Sequence, residues 1–115
     1  MLIQIDESSA VPLFAQIAGG IRRSISDGTL TAGSRLPPAR ELAASLGVNM
    51  HTVLRSYQTL RDEGLVDMRR SRGVVVTAHA PDDAALIVRV REYVDEARTR
   101  GLTDAEIIAF MEAHL

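Results

Sequence analysis

Apolar residues recur along this chain at helical spacing, interrupted by two short strand-like runs. Phe14, Ile17, Ile21 and Ile25 fall at i, i+3, i+7 and i+11, which is one face of a helix. Pro12 suits the first turn of that helix and Gly28 its end. Gly19-Gly20 lies inside it and weakens it, which implies close packing by another element. Upstream, Leu2-Ile3-Gln4-Ile5 reads as a short strand or an extended arm. Thr29 to Pro38 is a connector in which Gly33 turns and Leu36 anchors in the core. Pro37-Pro38 keeps this segment extended and preorganises the next helix start. That helix covers about Ala39 to Leu46, with Leu42, Ala43 and Leu46 inward. The next runs from about Met50 to Glu63, with Val53, Tyr57 and Leu60 as its inner stripe and Gly64 as its cap. Between them Gly47 takes positive φ, Val48 plugs the interhelical angle and Asn49 serves as an N-cap.

Leu65-Val66-Asp67-Met68 and Gly73-Val74-Val75-Val76-Thr77 read as two strands joined by the loop Arg69-Arg70-Ser71-Arg72. Residues 78–81 break the pattern. A helix from about Asp82 to Arg100 carries Leu86, Val90, Tyr93, Val94 and Ala97 on one face, and Gly101 ends it. Thr103-Asp104-Ala105-Glu106 is a capping box that opens a last helix bearing Ile107, Ile108, Met111 and Leu115.

The predicted fold is mainly α with a small β wing. Residues 1–78 form a winged helix-turn-helix and residues 79–115 a two-helix dimerisation tail. In such a domain a short helix braces a second one in the major groove, whose base edges carry a readable donor and acceptor code. Asn49, Met50, His51, Thr52 and Arg55 stand at the N-terminal half of the second helix, off its inner stripe. Arg55 suits a guanine or a phosphate. Arg40, at the start of the bracing helix, suits a phosphate. Arg69, Arg70 and Arg72 crowd the wing with no acid among them, and Gly73 lets the backbone approach a groove. Tyr57 and Phe14 are expected in the core. Asn49 has a purely structural use as a cap and the wing arginines one as solubilising charge.

Charge first argues against nucleic acid, because the net formal charge of the chain is −2. Its distribution reverses the argument. Residues 31–78 hold seven Arg against four acids, whereas residues 81–115 hold four Arg against eight acids. A basic face matters more than the sum. Every one of the 13 basic residues is Arg. Cysteine is absent, which excludes disulfides and thiol chemistry and suits a reducing cytoplasm. The start has no signal-peptide pattern, and no apolar run reaches the roughly 18 residues of a membrane span. His51, His79 and His114 are scattered, without the spacing of a zinc site, and no serine or acid stands in a catalytic context. No enzyme activity, metal or cofactor is expected.

The chain resembles the GntR family of bacterial transcription regulators. The resemblance runs through Val11-Pro12-Leu13-Phe14-Ala15-Gln16-Ile17, Gly28 to Pro37, Arg40-Glu41-Leu42-Ala43, Leu46-Gly47-Val48-Asn49, Thr52-Val53, Tyr57, Leu60 and Glu63-Gly64-Leu65-Val66. Arg70, Arg72, Gly73 and Val76 of the wing complete it. The short two-helix tail is similar to that of the YtrA subfamily. The resemblance implies a dimeric repressor of a near-palindromic operator. It puts DNA contacts at Arg40, at Asn49 to Thr52, at Arg55, and at Arg72 and Gly73. It assigns the dimer contact to the tail helices, and their apolar stripes offer Leu86, Val90, Tyr93, Val94, Ile107, Ile108 and Met111 for it. Three positions depart from the pattern. Pro38 replaces a capping Ser or Thr, and Met50 and Leu54 replace smaller or more polar residues. Two rival readings stay open at this point: a winged helix used for protein contacts, and a sensor holding a small effector of unknown identity at the tail.

Overall fold

The computed structural model describes Met1 and residues 3–115; Leu2 of the expected N-terminal arm lies outside the described residues. Among the described residues five helices and one hairpin follow in the order α1 (Leu13–Ser26), α2 (Ala39–Leu46), α3 (Met50–Asp62), β1 (Val66–Arg69), β2 (Gly73–Val76), α4 (Ala80–Thr99) and α5 (Asp104–Ala113). The chain divides into two compact units, Met1–Ala85 and Leu86–Leu115. No helix among the described residues is long and apolar enough to cross a membrane.

The first unit is built around α3, which packs against α1, α2 and β1. The apolar stripes explain this directly. Ile17, Ile21 and Ile25 of α1 and Val53, Tyr57 and Leu60 of α3 are all fully buried, and each such side chain contributes roughly 1.5–3 kcal/mol on leaving water. Leu36, Leu42, Ala43, Leu65, Val66 and Val76 close the same core. Ala80 and Ala84, in the first turns of α4, are also fully buried.

Several details differ from the sequence reading. Helix α4 begins at Ala80, so the break before it is shorter than expected and Pro81 stands in the first helical turn. A proline is tolerated there because the missing N–H has no intrahelical acceptor. The strands begin at Val66 and end at Val76, in the antiparallel register Val66↔Val76 to Arg69↔Gly73, which leaves residues 70–72 as the wing loop. The connector is also more than a link. Arg35 bridges Val75; Leu36 N–H donates to the Val74 carbonyl at 2.8 Å and Val76 N–H to the Ser34 carbonyl at 2.8 Å. The wing thus has a third, short edge.

The close approach implied by Gly19-Gly20 falls at Gly20. A Cβ there would meet Cγ1 and Cγ2 of Ile3 at 3.3 Å. Gln16 fastens the same arm, accepting from Asp6 N–H at 2.8 Å and donating to the carbonyls of Asp6 at 2.9 Å and Val11 at 2.8 Å.

In the second unit Ala97 and Ile107 are buried. The expected capping box is present: Thr103 Oγ1 accepts from Glu106 N–H at 3.2 Å, and Glu106 Oε1 accepts from Thr103 N–H at 3.0 Å. These bonds hold the Glu106 carboxyl below its ordinary range, the backbone bond most strongly.

Candidate nucleic-acid interface

The surface begins at the turn between α2 and α3. Gly47 adopts φ +69°, a left-handed conformation in which a Cβ would be strained. Val48 N–H then reaches back to the Ala43 carbonyl at 3.0 Å and closes the end of α2. Asn49 caps α3, its Oδ1 accepting from His51 N–H at 2.7 Å. The cap uses one acceptor and leaves the exposed side-chain amide nitrogen as a donor. Pro38 makes no side-chain cap at α2, and its φ of −54° takes that place.

Burial of Val53, Ser56, Tyr57 and Leu60 on one side of α3 turns His51, Arg55 and Gln58 outward. Thr52, Leu54 and Met50 are half-buried. Ser56 Oγ donates to the Phe14 carbonyl at 2.8 Å and to the Thr52 carbonyl at 3.0 Å, joining α3 to the start of α1. Tyr57 Oη donates to the Pro37 carbonyl at 2.6 Å and so fixes the Pro37-Pro38 entry to α2. Burial, with Glu41 nearby, pushes this phenol well above its usual range, so it stays a neutral donor.

Two shallow clefts flank α3. One brings together Leu13, Phe14, His51, Thr52 and Arg55. Phe14 is half-buried here and not in the core, because its ring lies under the Arg55 guanidinium, with Cζ 3.7 Å from the ring centroid. The other cleft is walled by the wing residues Arg70, Arg72 and Gly73 on one side and by Leu54 of α3 on the other, with Arg35 and Met68 also lining it. Gly73 has φ +70° where the loop rejoins β2. Arg40 is exposed and Met50 half-buried, and neither lines either cleft.

Ion pairing sorts the arginines. Arg22, 4% exposed, is held by Glu63 at 2.8 and 2.6 Å. Arg61 lies 3.6 Å from Asp62, and Arg69 lies 3.5 Å from Asp67. Among the described residues no carboxylate lies within ion-pair distance of Arg35, Arg40, Arg55, Arg70 or Arg72. Positive charge therefore stays available on α2, on α3 and along the wing cleft. Among the described residues no three side chains come together as a metal site.

Two of these residues have places that the sequence does not show. Arg35 reaches the wing cleft only because residues 33–36 join the wing edge. Helical period places Phe14 in the core and cannot show that a cation covers its outer face.

In the second unit Leu86, Val90, Ile108 and Met111 are exposed, Tyr93 and Val94 half-buried, and Ile107 buried. Phe110, not singled out from the sequence, is 51% exposed; its ring lies 6.5 Å from that of Tyr93 and 4.4 Å from that of His114.

Residues 13–76 match the family described as bacterial regulatory proteins, gntR family. The helix-turn-helix-type transcriptional regulator Rv1152 of Mycobacterium tuberculosis is 34% identical over 109 residues, spanning 95% of this chain and 90% of that protein. The transcriptional repressor YtrA of Bacillus subtilis is 34% identical over 79 residues, 69% of this chain but only 61% of its own length. The structure of YtrA from Sulfolobus acidocaldarius, a GntR-family transcription factor, is 35% identical, with a TM-score of 0.64 over 96% of this chain and 94% of that one. The matched segment runs from α1 through the wing and contains both clefts. The chain belongs to the GntR family of bacterial transcription regulators, in its YtrA-like form.

Proposed function

We propose that two copies of this chain bind an operator duplex and repress the promoter beneath it. Each copy lays the N-terminal half of α3 in a major groove. His51, Thr52 and the amide of Asn49 face base edges, Arg55 takes guanine or phosphate, and Met50 lies against the groove, where its apolar side chain suits a thymine methyl. Arg40 holds a phosphate at the start of α2. Arg70 and Arg72 follow the backbone beside the wing, with Gly73 admitting the close approach. The observation that carries this reading is the set of exposed arginines on α2, α3 and the wing without acidic partners.

Residues 1–78 act as the DNA-binding domain and residues 79–115 as the dimerisation tail. Leu86, Val90, Ile108 and Met111 supply an apolar face that a second copy covers, with Tyr93, Val94 and Ile107 behind it. The chain acts in the cytoplasm, without a catalytic step. Repression needs no further part, since a protein seated on a promoter blocks polymerase. The tail is a two-fold device, so the operator is a near-palindrome with half-sites about one helical turn (~34 Å) apart or a multiple of it.

Selection from a randomised duplex library tests this. Enrichment of an inverted repeat, bound as two chains per duplex and weakening steeply with salt as counterions are released, is the expected result. Binding that shows no sequence preference and no such spacing would overturn it.

A further inference from the structure

We infer that Phe14 is a positioning residue for DNA recognition, its ring fixing where Arg55 presents its guanidinium. The inference rests on the DNA-binding reading above. Cζ of Arg55 stands 3.7 Å from the centroid of the Phe14 ring, well inside the roughly 6 Å within which the negative face of an aromatic ring attracts a cation. Among the described residues the guanidinium has no hydrogen-bond acceptor and no carboxylate beside it.

That combination matters chemically. A carboxylate would also hold Arg55 still, but it would occupy the donors and cancel the charge. A ring restrains the cation and leaves both for a ligand. An arginine already stacked has given up part of the rotamer freedom that a free one loses on binding. What it then offers is a planar fork of donors, which fits bidentate oxygen and nitrogen acceptors such as a phosphate or the guanine edge.

The backbone that carries the ring is itself tied to α3. The Phe14 carbonyl accepts from Ser56 Oγ at 2.8 Å, and Ser56 is fully buried and next in sequence to Arg55. Base and stack are thus tied at the same level of α3. His51 and Thr52 line the same cleft, so a duplex that meets the first turn of α3 also meets the stacked guanidinium.

A mutant cycle tests this, using the duplex that the wild-type chain selects and anisotropy to read Kd. Phe14→Leu keeps apolar bulk and the carbonyl used by Ser56 but removes the ring. It is expected to raise Kd about two- to fivefold, the scale of an exposed cation–π contact. Phe14→Tyr keeps the ring and is expected to stay within about twofold of wild type. In an Arg55→Ala background Phe14→Leu is expected to change Kd by less than about twofold. An equal loss in both backgrounds would make Phe14 a packing residue and overturn the inference, as would an unchanged Kd for Phe14→Leu alone. Wild-type chain that selects no duplex would sink the DNA-binding reading and this inference with it. Wild-type binding with additive losses would sink the inference alone. The acceptor shows in the Arg55→Ala chain: a uniform loss across duplex sequences marks a phosphate, and a loss confined to one G·C pair marks a guanine.

Discussion

Arg22 and Arg55 stand on neighbouring helices and reach opposite fates. Arg22 is 4% exposed and gripped by both carboxylate oxygens of Glu63. Arg55 is exposed and, among the described residues, rests only on a ring. A buried pair is costly to break, because removing one partner strands the other charge in a low-dielectric site. Glu63→Ala is therefore expected to lower stability by about 3–5 kcal/mol, and the double change Arg22→Met with Glu63→Leu by much less. Urea unfolding of the three chains checks this; a cost under about 1 kcal/mol for Glu63→Ala would show that water already solvates Arg22. The sequence could not reveal this pair. Period alone places Arg22 near Ile21 and Ile25, and its partner lies 41 residues away. Local chemistry is easier to read. The Asn49 cap and the Thr103–Glu106 box were legible because donor and acceptor stand within three residues of each other.

At the scale of elements, the two adjacent glycines of α1 have different surroundings. A Cβ on Gly20 would press on Ile3 at 3.3 Å, whereas one on Gly19 would meet first the flexible end of Arg23 at 3.4 Å. Replacing a helical glycine by alanine gains roughly 0.5–1 kcal/mol where space allows. Gly19→Ala is expected to raise stability by about that amount. Gly20→Ala is expected to gain less or to lose, since Ile3 must shift. Thermal melts of the two variants compare them directly, and equal gains would show that the arm does not pack on Gly20. The helices and the hairpin were legible from their periods and turn residues, each to within two residues. The arm on Gly20 and the wing edge at residues 33–36 were not. Both are pairings between segments far apart in sequence, and neither leaves a period of its own. Leu54 belongs to the same class: as an odd apolar residue on α3 it had no clear place until the wing supplied the opposite wall of its cleft.

At the scale of the molecule, the net charge of −2 conceals a division. Acids outnumber arginines two to one after residue 80, whereas Arg35, Arg40, Arg55, Arg70 and Arg72, which have no carboxylate within ion-pair distance among the described residues, all lie before it. The division suits the function proposed above, in which one part holds DNA and the other a second copy. The first unit is more extended than a cut at residue 78 implies, since Ala80 and Ala84 complete its core. In the function proposed above, α3 and the wing together hold the duplex, in two copies on one face. Hydroxyl-radical footprinting on the selected duplex tests it most directly, with wild type beside the double variant Arg55→Ala and Arg72→Ala. Wild type should protect two patches about one helical turn (~34 Å) apart or a multiple of it, and the double variant should lose most of that protection at equal concentration. Full, unchanged protection by the double variant would show that α3 and the wing do not hold the duplex.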